Sequence, residues 1–468
     1  MRHVIVMAGT GAIGLIAVFA VDLLNLFYIS LLGHRPIAAA IGFAGVVGFF
    51  QTSVLIGLAI GVGAVVAHSI GAGTARAARH IAGSGLVLMV LTGLVVGLGT
   101  VALLTPILDT LGASGETRSL AACFLMISSP FLPLLAGGMC CSALLRCIGD
   151  ARRAMNVTLF AALTTAVMDP MLIFGLHLGL PGAAISTVLS RCVLATLGWL
   201  GAARRHDLLA RPSLRALAGD MAVIVHVAFP AVLTNLATPV GAAYVTRRMA
   251  AFGSEAVAGQ ATIDRISPVA FGLIYALSGA VGPILAQNAG AGRLDRVRAT
   301  LRDSFTFVLV AVVVAWAILA LCQELLVRAF FASGVAAQLV HLFCAWLAAG
   351  FLFTGALFVA NAAFNNLGYP VLSTLFNWSR ATLGTIPFVT YGAQFGPVGL
   401  LVGQAAGSVI FGTAAVITAF RVVGRLGGAV APPGIGMAIP GGTGNTVLAT
   451  LAVRPWRNWH LPVHRDTQ

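Results

Sequence analysis

Val21-Asp22-Leu23-Leu24-Asn25-Leu26-Phe27-Tyr28 lies in the middle of the first long apolar segment and places a carboxylate where lipid should forbid one. A charge at mid-bilayer costs roughly 2.5–3.5 kcal/mol on insertion scales, so such residues usually face a polar cavity and work there. The chain has only 13 acids, and position sorts them. Asp150, Asp207, Asp220, Asp295, Asp303 and Asp466 lie in Arg-bearing connections or tails, whereas Asp109, Glu116 and Glu255 fall in short connections with few Arg. Glu324 sits near a segment end with Arg328 four residues on, and Asp264 precedes Arg265 directly, which reads most simply as a local ion pair. Only Asp22 and Asp169 are deep inside apolar segments with no basic neighbour in sequence.

The surroundings of these two acids define the class. Of 468 residues, 59% are hydrophobic and 9% charged, a balance that excludes a soluble globular domain. Apolar runs longer than about 18 residues recur, as in a multi-span helical membrane protein. The net charge of +14 comes entirely from arginine, and the arginines concentrate in connections, which excludes nucleic acid as the partner and follows the positive-inside rule. The seven cysteines lack metal-ligand spacing and read as small core residues. Met1-Arg2-His3 is followed by no small-residue cleavage site, so the first apolar stretch reads as a retained span.

Twelve spans are predicted, near 4–33, 42–72, 81–106, 119–146, 153–176, 182–203, 221–249, 260–290, 302–330, 336–363, 371–391 and 397–422. The even-numbered connections hold most of the loop arginines, including Arg76, Arg79, Arg152, Arg153, Arg293, Arg296 and Arg298, which puts both termini in the cytoplasm. The longest polar stretch, 204–220, is read as a cytoplasmic linker between six-span lobes at 1–203 and 221–422, and 423–468 as a flexible cytoplasmic tail. The halves repeat. Ala67-His68-Ser69-Ile70-Gly71-Ala72-Gly73 aligns with Ala286-Gln287-Asn288-Ala289-Gly290-Ala291-Gly292 at an offset of 219. The same offset sets Gly149 on Gly368, and Gly179-Leu180-Pro181-Gly182 meets Gly396-Pro397-Val398-Gly399 at 217. Six spans per repeat preserve orientation, so the fold expected is an all-α integral membrane protein of twelve transmembrane helices in two six-helix lobes. A pseudo-two-fold axis along the membrane normal relates them, with a substrate cavity between.

Alignment of the halves sharpens the chemistry. Asp22 maps onto Ala242, and Asp169-Pro170 onto Ile386-Pro387, so the acids belong to the N-terminal half alone. Asn25 lies three residues from Asp22, and Thr165 four before Asp169, so each pair shares a helix face. Thr187, with Thr164 and Ser186 nearby, is placed to close the cluster, and Pro170 weakens the helix at the acid, freeing backbone carbonyls. Asp22, Asp169, Thr165, Thr187 and Asn25 are therefore the candidate ion-coupling residues, holding one proton or, at Asp22, Asp169 and Thr187, Na⁺. Structural acids hydrogen-bonded to neighbouring helices are the competing reading. Tyr28, Gln51, Ser53, Ser142 and Met168 are candidate cavity residues, though Ser, Thr and aromatic residues also pack helices. Arg191 is placed at the cytoplasmic end of span six.

These residues resemble the multidrug and toxic compound extrusion (MATE) family. The resemblance rests on Val21-Asp22 with Leu32-Gly33, and on the run from Leu145-Arg146-Cys147-Ile148-Gly149-Asp150 through Val167-Met168-Asp169-Pro170 to Gly182-Ala183-Ala184-Ile185-Ser186-Thr187. In the second half it rests on Phe252-Gly253-Ser254-Glu255 and Gln287-Asn288-Ala289-Gly290-Ala291-Gly292-Arg293. It implies a secondary antiporter, not an enzyme. Such a protein is a monomer in the bacterial cytoplasmic (inner) membrane, needs no cofactor, and expels organic cations and amphipathic toxins in exchange for H⁺ or Na⁺. Acids confined to the N-lobe look most like the DNA-damage-inducible-F branch, in which aspartates matching Asp22 and Asp169 form the cation site. That branch usually has Asn where this chain has Thr165, a departure that counts against tight Na⁺ coordination more than against proton binding. The alternatives are a lipid-linked sugar flippase of the wider superfamily, which needs a basic cavity where no arginine is expected at mid-membrane, and a Na⁺-coupled exporter of another metabolite. A membrane-embedded enzyme would need a reactive or metal-chelating cluster, and none is evident.

Overall fold

In a computed structural model, residues 2–31, 35–211 and 214–428 are described. The tail expected from 423 continues the last helix to Gly428, and its remainder lies outside the described residues. The first half contains α1 (Arg2–Leu31), α2 (Arg35–Gly71), α3 (Ala75–Ala102), the short α4 (Leu104–Thr110), α5 (Gly115–Ser128), α6 (Leu132–Cys147), α7 (Ala151–Pro170) and α8 (Gly179–Trp199). The second contains α9 (Leu214–Ala250), α10 (Ser254–Ala270), α11 (Gly272–Gly290), α12 (Leu294–Ala329), α13 (Gly334–Ala345), α14 (Phe351–Asn366), α15 (Pro370–Ala381), α16 (Ile386–Gly392) and α17 (Gly396–Gly428). A chain this apolar satisfies its backbone within each segment, and helices do so. Large apolar side chains point outward, among them Val95 at 70%, Leu321 at 85% and Phe331 at 93% exposure, a surface suited to lipid.

Among the described residues ten helical runs are long and apolar enough to cross a membrane, eleven when α10 and α11, which meet at 51°, count as one span. The twelfth is hidden in the run Pro370–Leu426, counted as a single span by length. That run is a hairpin. Gly403 lies against the Phe388 carbonyl, Gly407 against Gly384, and Gly399 against Gly392, an antiparallel register that turns at Gly396, where φ is +81°. The twelve expected spans are thus all present, several of them broken: α5 meets α6 at the turn Ser129–Phe131, which contains Pro130, and α10 meets α11 at Phe271, three residues after Pro268.

Packing reproduces the repeat. In the first half α1 packs on α7, α6 on α8 and α7 on α8; in the second, α9 packs on α15, α14 on α17 and α16 on α17. Between halves α2 packs on α9 and α1 on α11, contacts that exchange when the halves are swapped. At the α2–α11 crossing, a Cβ on Gly71 would sit 2.1 Å from the Gln287 carbonyl oxygen, and one on Gly290 would sit 2.2 Å from that of His68. The offset of 219 carries each contact onto the other, so the pseudo-two-fold passes through this crossing. Backbone cannot step aside as a side chain can. Gly71→Ala is therefore expected to destabilise the protein by about 1–3 kcal/mol and to lower its melting temperature in detergent. Gly42→Ala, where nothing lies within 4 Å, should leave melting unchanged or raised.

The connection read as polar over 204–220 is shorter. A π-helical turn carries the chain to Arg205 and α9 begins at Leu214, placing Asp220 inside a helix where it accepts from Ser84 Oγ at 2.7 Å. Arg79 meets Asp207 at 2.6 Å, and Ala210 N–H donates to the Arg79 carbonyl, so this segment is tied to the start of α3. At the start of α7, Asp150 accepts from Arg153 and has His206 Nε2 at 2.8 Å. Burial alone pushes the Asp150 carboxyl up, and the bonds from His206 and Arg153 reverse that, holding it below the ordinary carboxylate value.

Candidate functional site

Two packing registers locate the acids. Gly14 of α1 lies against Met155 and Thr158 of α7, and Tyr28 meets Phe174 edge-on at 6.2 Å, so the two helices run parallel with residue n beside about n + 141 to n + 146. Asp22 is therefore level with 163–168, and Asn25 with 166–171. On its other side α1 runs antiparallel to α11, with Gly11 against Ala276 and Ile16 against Gly272. Gly11 is three turns before Asp22 on the same helix line, so Asp22 projects toward the second half. Continuing that register past the bend at Phe271 puts Asp22 level with α10, from which α1 has largely parted. Asp22 is exposed there.

Asp169 is its buried counterpart. Only 1% exposed, it has neither carboxylate oxygen in a hydrogen bond. Ser186 of α8 lies beside it, its own hydroxyl equally without a geometrically sound partner. Asn25 Oδ1 is likewise buried and unpartnered. Thr165 donates to the Ala161 carbonyl at 3.4 Å and Thr187 to that of Ala183 at 3.0 Å, which leaves both hydroxyl oxygens able to accept or to coordinate. Directly after Pro170 the helix loosens into a π-helical turn over Met171–Gly175, closed by Leu176 N–H on the Met171 carbonyl.

The other candidates are placed differently. Gln51 is 4% exposed and its amide donates to Thr100 Oγ1 at 2.9 Å and Ser129 Oγ at 3.1 Å, tying α2, α3 and the α5–α6 break inside the first half. Ser142 accepts from Arg146 Nη2 at 3.1 Å, and Ser53 is buried. Tyr28 and Met168 are half-buried near the acids. Arg191 corrects the expectation that it marks a span end. It sits midway along the run Gly179–Arg205 and donates to the Ser128 carbonyl, at the middle of the α5–α6 span. The Asp264–Arg265 pair is not formed either. Neighbours on a helix point apart, and Asp264 accepts from Gln260 Nε2 at 2.9 Å. Arg380, whose depth no sequence argument singled out, also lies mid-span. Among the described residues no group of three or more His, Cys, Asp or Glu is arranged to hold a metal ion.

Comparison with known proteins agrees with this architecture. The MatE family model matches twice, over residues 12–171 and 230–390, once in each half. The FAD transporter of Shewanella oneidensis is 28% identical, covering 88% of this chain and 92% of its own length. A "Probable multidrug resistance protein NorM" of Thermotoga maritima is 26% identical over 81% of this chain and 84% of its own. The crystal structure of the Vibrio cholerae MATE transporter VcmN in its bent form superposes with a TM-score of 0.85 at 22% identity, covering 91% of this chain and 97% of that one. With two matched halves, one repeat and a shared twelve-helix fold, the chain belongs to the MatE family of multidrug and toxic compound extrusion transporters, which are secondary transporters and not enzymes.

Proposed function

We propose that the protein exports organic cations and amphipathic toxins in exchange for H⁺ or Na⁺, with coupling through Asp22 and Asp169. The observation that carries this reading is Asp169, whose two oxygens are buried without a hydrogen bond, level with the equally unpartnered Asn25 Oδ1. Each such group costs about 1–3 kcal/mol when left unsatisfied, which suits a site reserved for an occupant. A proton or a cation removes that penalty, and Thr187 and Asp22 supply further oxygens. The occupant enters from outside and shifts the packing of α1, which touches both halves. The substrate is then released outward and the lobes rock inward. A population shift of this kind requires an occupant that binds one state better, and a carboxylate whose solvation differs between states provides it. The arginine-rich connections support cytoplasmic termini in a bacterial inner membrane.

The test is efflux of a fluorescent organic cation from proteoliposomes under an imposed pH gradient, then under an imposed Na⁺ gradient. Thr165 in place of an amide leads us to expect drive by the pH gradient alone. Drive by Na⁺ alone would keep the site and change the ion, and drive by neither would reject the reading. A second reading, export of a metabolite, is favoured by similarity along nearly the whole chain to a FAD transporter.

A further inference from the structure

We propose that the seam between α12, α14 and α17 binds an anionic phospholipid, with an acyl chain in an apolar groove and the phosphate on Arg302 and Arg298.

The groove has a volume of about 270 Å³ and is walled by Phe305 and Val308 of α12, Leu352 and Phe353 of α14, and Val416 and Phe420 of α17. Close backbone packing makes it. A Cβ on Gly355 of α14 would lie 2.9 Å from Val308 Cγ1, and one on Gly412 of α17 would lie 2.5 Å from the Phe353 carbonyl oxygen, so α14 draws near to both neighbours. α12 and α17 touch each other far less, and the rings of Phe305 and Phe420 meet across the gap at 5.5 Å. α14 is thus the floor of a trough whose α17 wall, from Thr413 to Phe420, is roughly 10 Å of helix. Thr413 Oγ1 donates to the Val409 carbonyl, so the hydroxyl in this wall has spent its proton and the lining suits hydrocarbon.

Charge names the occupant. Arg302 is one turn before Phe305 and Arg298 one turn before that, so the α12 wall continues along a single helix line into two exposed guanidiniums. Neither has a carboxylate within 4 Å among the described residues. α17 ends on the same side, carrying Arg421 and Arg425 just beyond Phe420, and over 293–303 and 421–425 six arginines stand against Asp295 and Asp303. A lipid phosphate at this end, with its chain directed into the bilayer, meets the guanidiniums and the trough together. The chain beyond 428 does not complement this end, since its Arg454, Arg457 and Arg465 outnumber its one acid, Asp466.

The repeat shows that the combination is not a requirement of the scaffold. At the offset of 219, Arg298 falls on Arg79, which is taken by Asp207 at 2.6 Å, and Arg302 falls on Gly83. At 217, Val416 falls on Trp199. The positive-inside rule accounts for arginines at this end of both halves. It does not account for two arginines without a carboxylate partner, in line with a groove, in one half.

The test uses the purified full chain in a neutral detergent, with phosphatidylglycerol, phosphatidylcholine of the same chains and inorganic phosphate as probes, and native mass spectrometry to count what is bound. Phosphatidylglycerol is expected to bind about tenfold or more tightly than phosphatidylcholine, the ratio that two arginines at a lipid interface supply. Arg298→Gln combined with Arg302→Gln should bring that ratio close to one and leave phosphatidylcholine unchanged. Val416→Trp, which fills the trough, should weaken both lipids several-fold, and it keeps the proposal falsifiable if the arginine variant is not monodisperse. In Phe420→benzoylphenylalanine, irradiation should attach phosphatidylglycerol to α17. Attachment instead to residues 429–468 or to a second copy of the chain would give the groove to that occupant and overturn the proposal. So would equal binding of the two lipids, a ratio that survives the arginine changes, binding untouched by Val416→Trp, or competition by inorganic phosphate as strong as that by phosphatidylglycerol.

Discussion

Asp22→Asn and Asp169→Asn are each expected to abolish gradient-driven efflux, leaving proteoliposomes at the leak rate of protein-free vesicles. Neither change should disturb folding. Asp22 is exposed and Asp169 makes no hydrogen bond that an amide would break, so monodispersity and melting temperature should stay close to wild type. At Asp169 an amide removes a buried negative charge and should if anything stabilise the resting protein. Loss is therefore functional, and its cause is thermodynamic: an ion drives a conformational change only to the extent that it binds the two states differently. An uncharged amide takes up no proton and holds a cation weakly. The alternative, in which the carboxylates pack helices, predicts the opposite pattern of impaired melting with retained transport. Normal efflux in both variants would make the acids structural and remove the proposed coupling site.

Much of this site is legible in the sequence because membrane burial makes charge conspicuous. Asp22 and Asp169 stand out as acids in apolar runs, and parallel packing of α1 on α7 then sets them at similar depth, as expected for spans crossing in the same direction. Other features depend on geometry that hydropathy does not encode. Gln51 resembles a cavity residue in sequence, yet its two donors are spent on Thr100 and Ser129, which are distant in the chain. Arg191 reads as a span-end residue because arginine avoids lipid, but the carbonyl of Ser128 receives it at mid-span. That carbonyl is left available where α5 gives way to the turn containing Pro130. Arg380 lies mid-span with its Nε buried and unpartnered, and no local pattern marks it. The broken spans have the same origin, since an apolar run registers length and not the bend at Phe271.

Moving the acid to the equivalent position in the second half should not restore transport: Asp22→Asn combined with Ala242→Asp is expected to remain at the leak rate. The repeat supplies the helix but not its surroundings. Ala242, like Asp22, is exposed, so the new carboxylate costs little packing. The position three residues on, however, is Val245 where the first half has Asn25. On the helix equivalent to α7 the partner acid is replaced by Ile386, and on the one equivalent to α8 Ser186 becomes Gly403. That glycine is fixed by close packing, because a Cβ there would lie 2.2 Å from the Phe388 carbonyl oxygen. The α16–α17 hairpin is thus closed by backbone contact at the place where the α7–α8 pair carries the oxygen-bearing side chains of Asp169 and Ser186. Asp22→Asn alone and Ala242→Asp alone are the controls, the second retaining transport if the introduced charge is tolerated. Rescue in the double variant would mean that a carboxylate on either lobe suffices. Persistent loss, with Ala242→Asp alone active, would localise coupling to the half in which α7 and α8 carry Asp169 and Ser186.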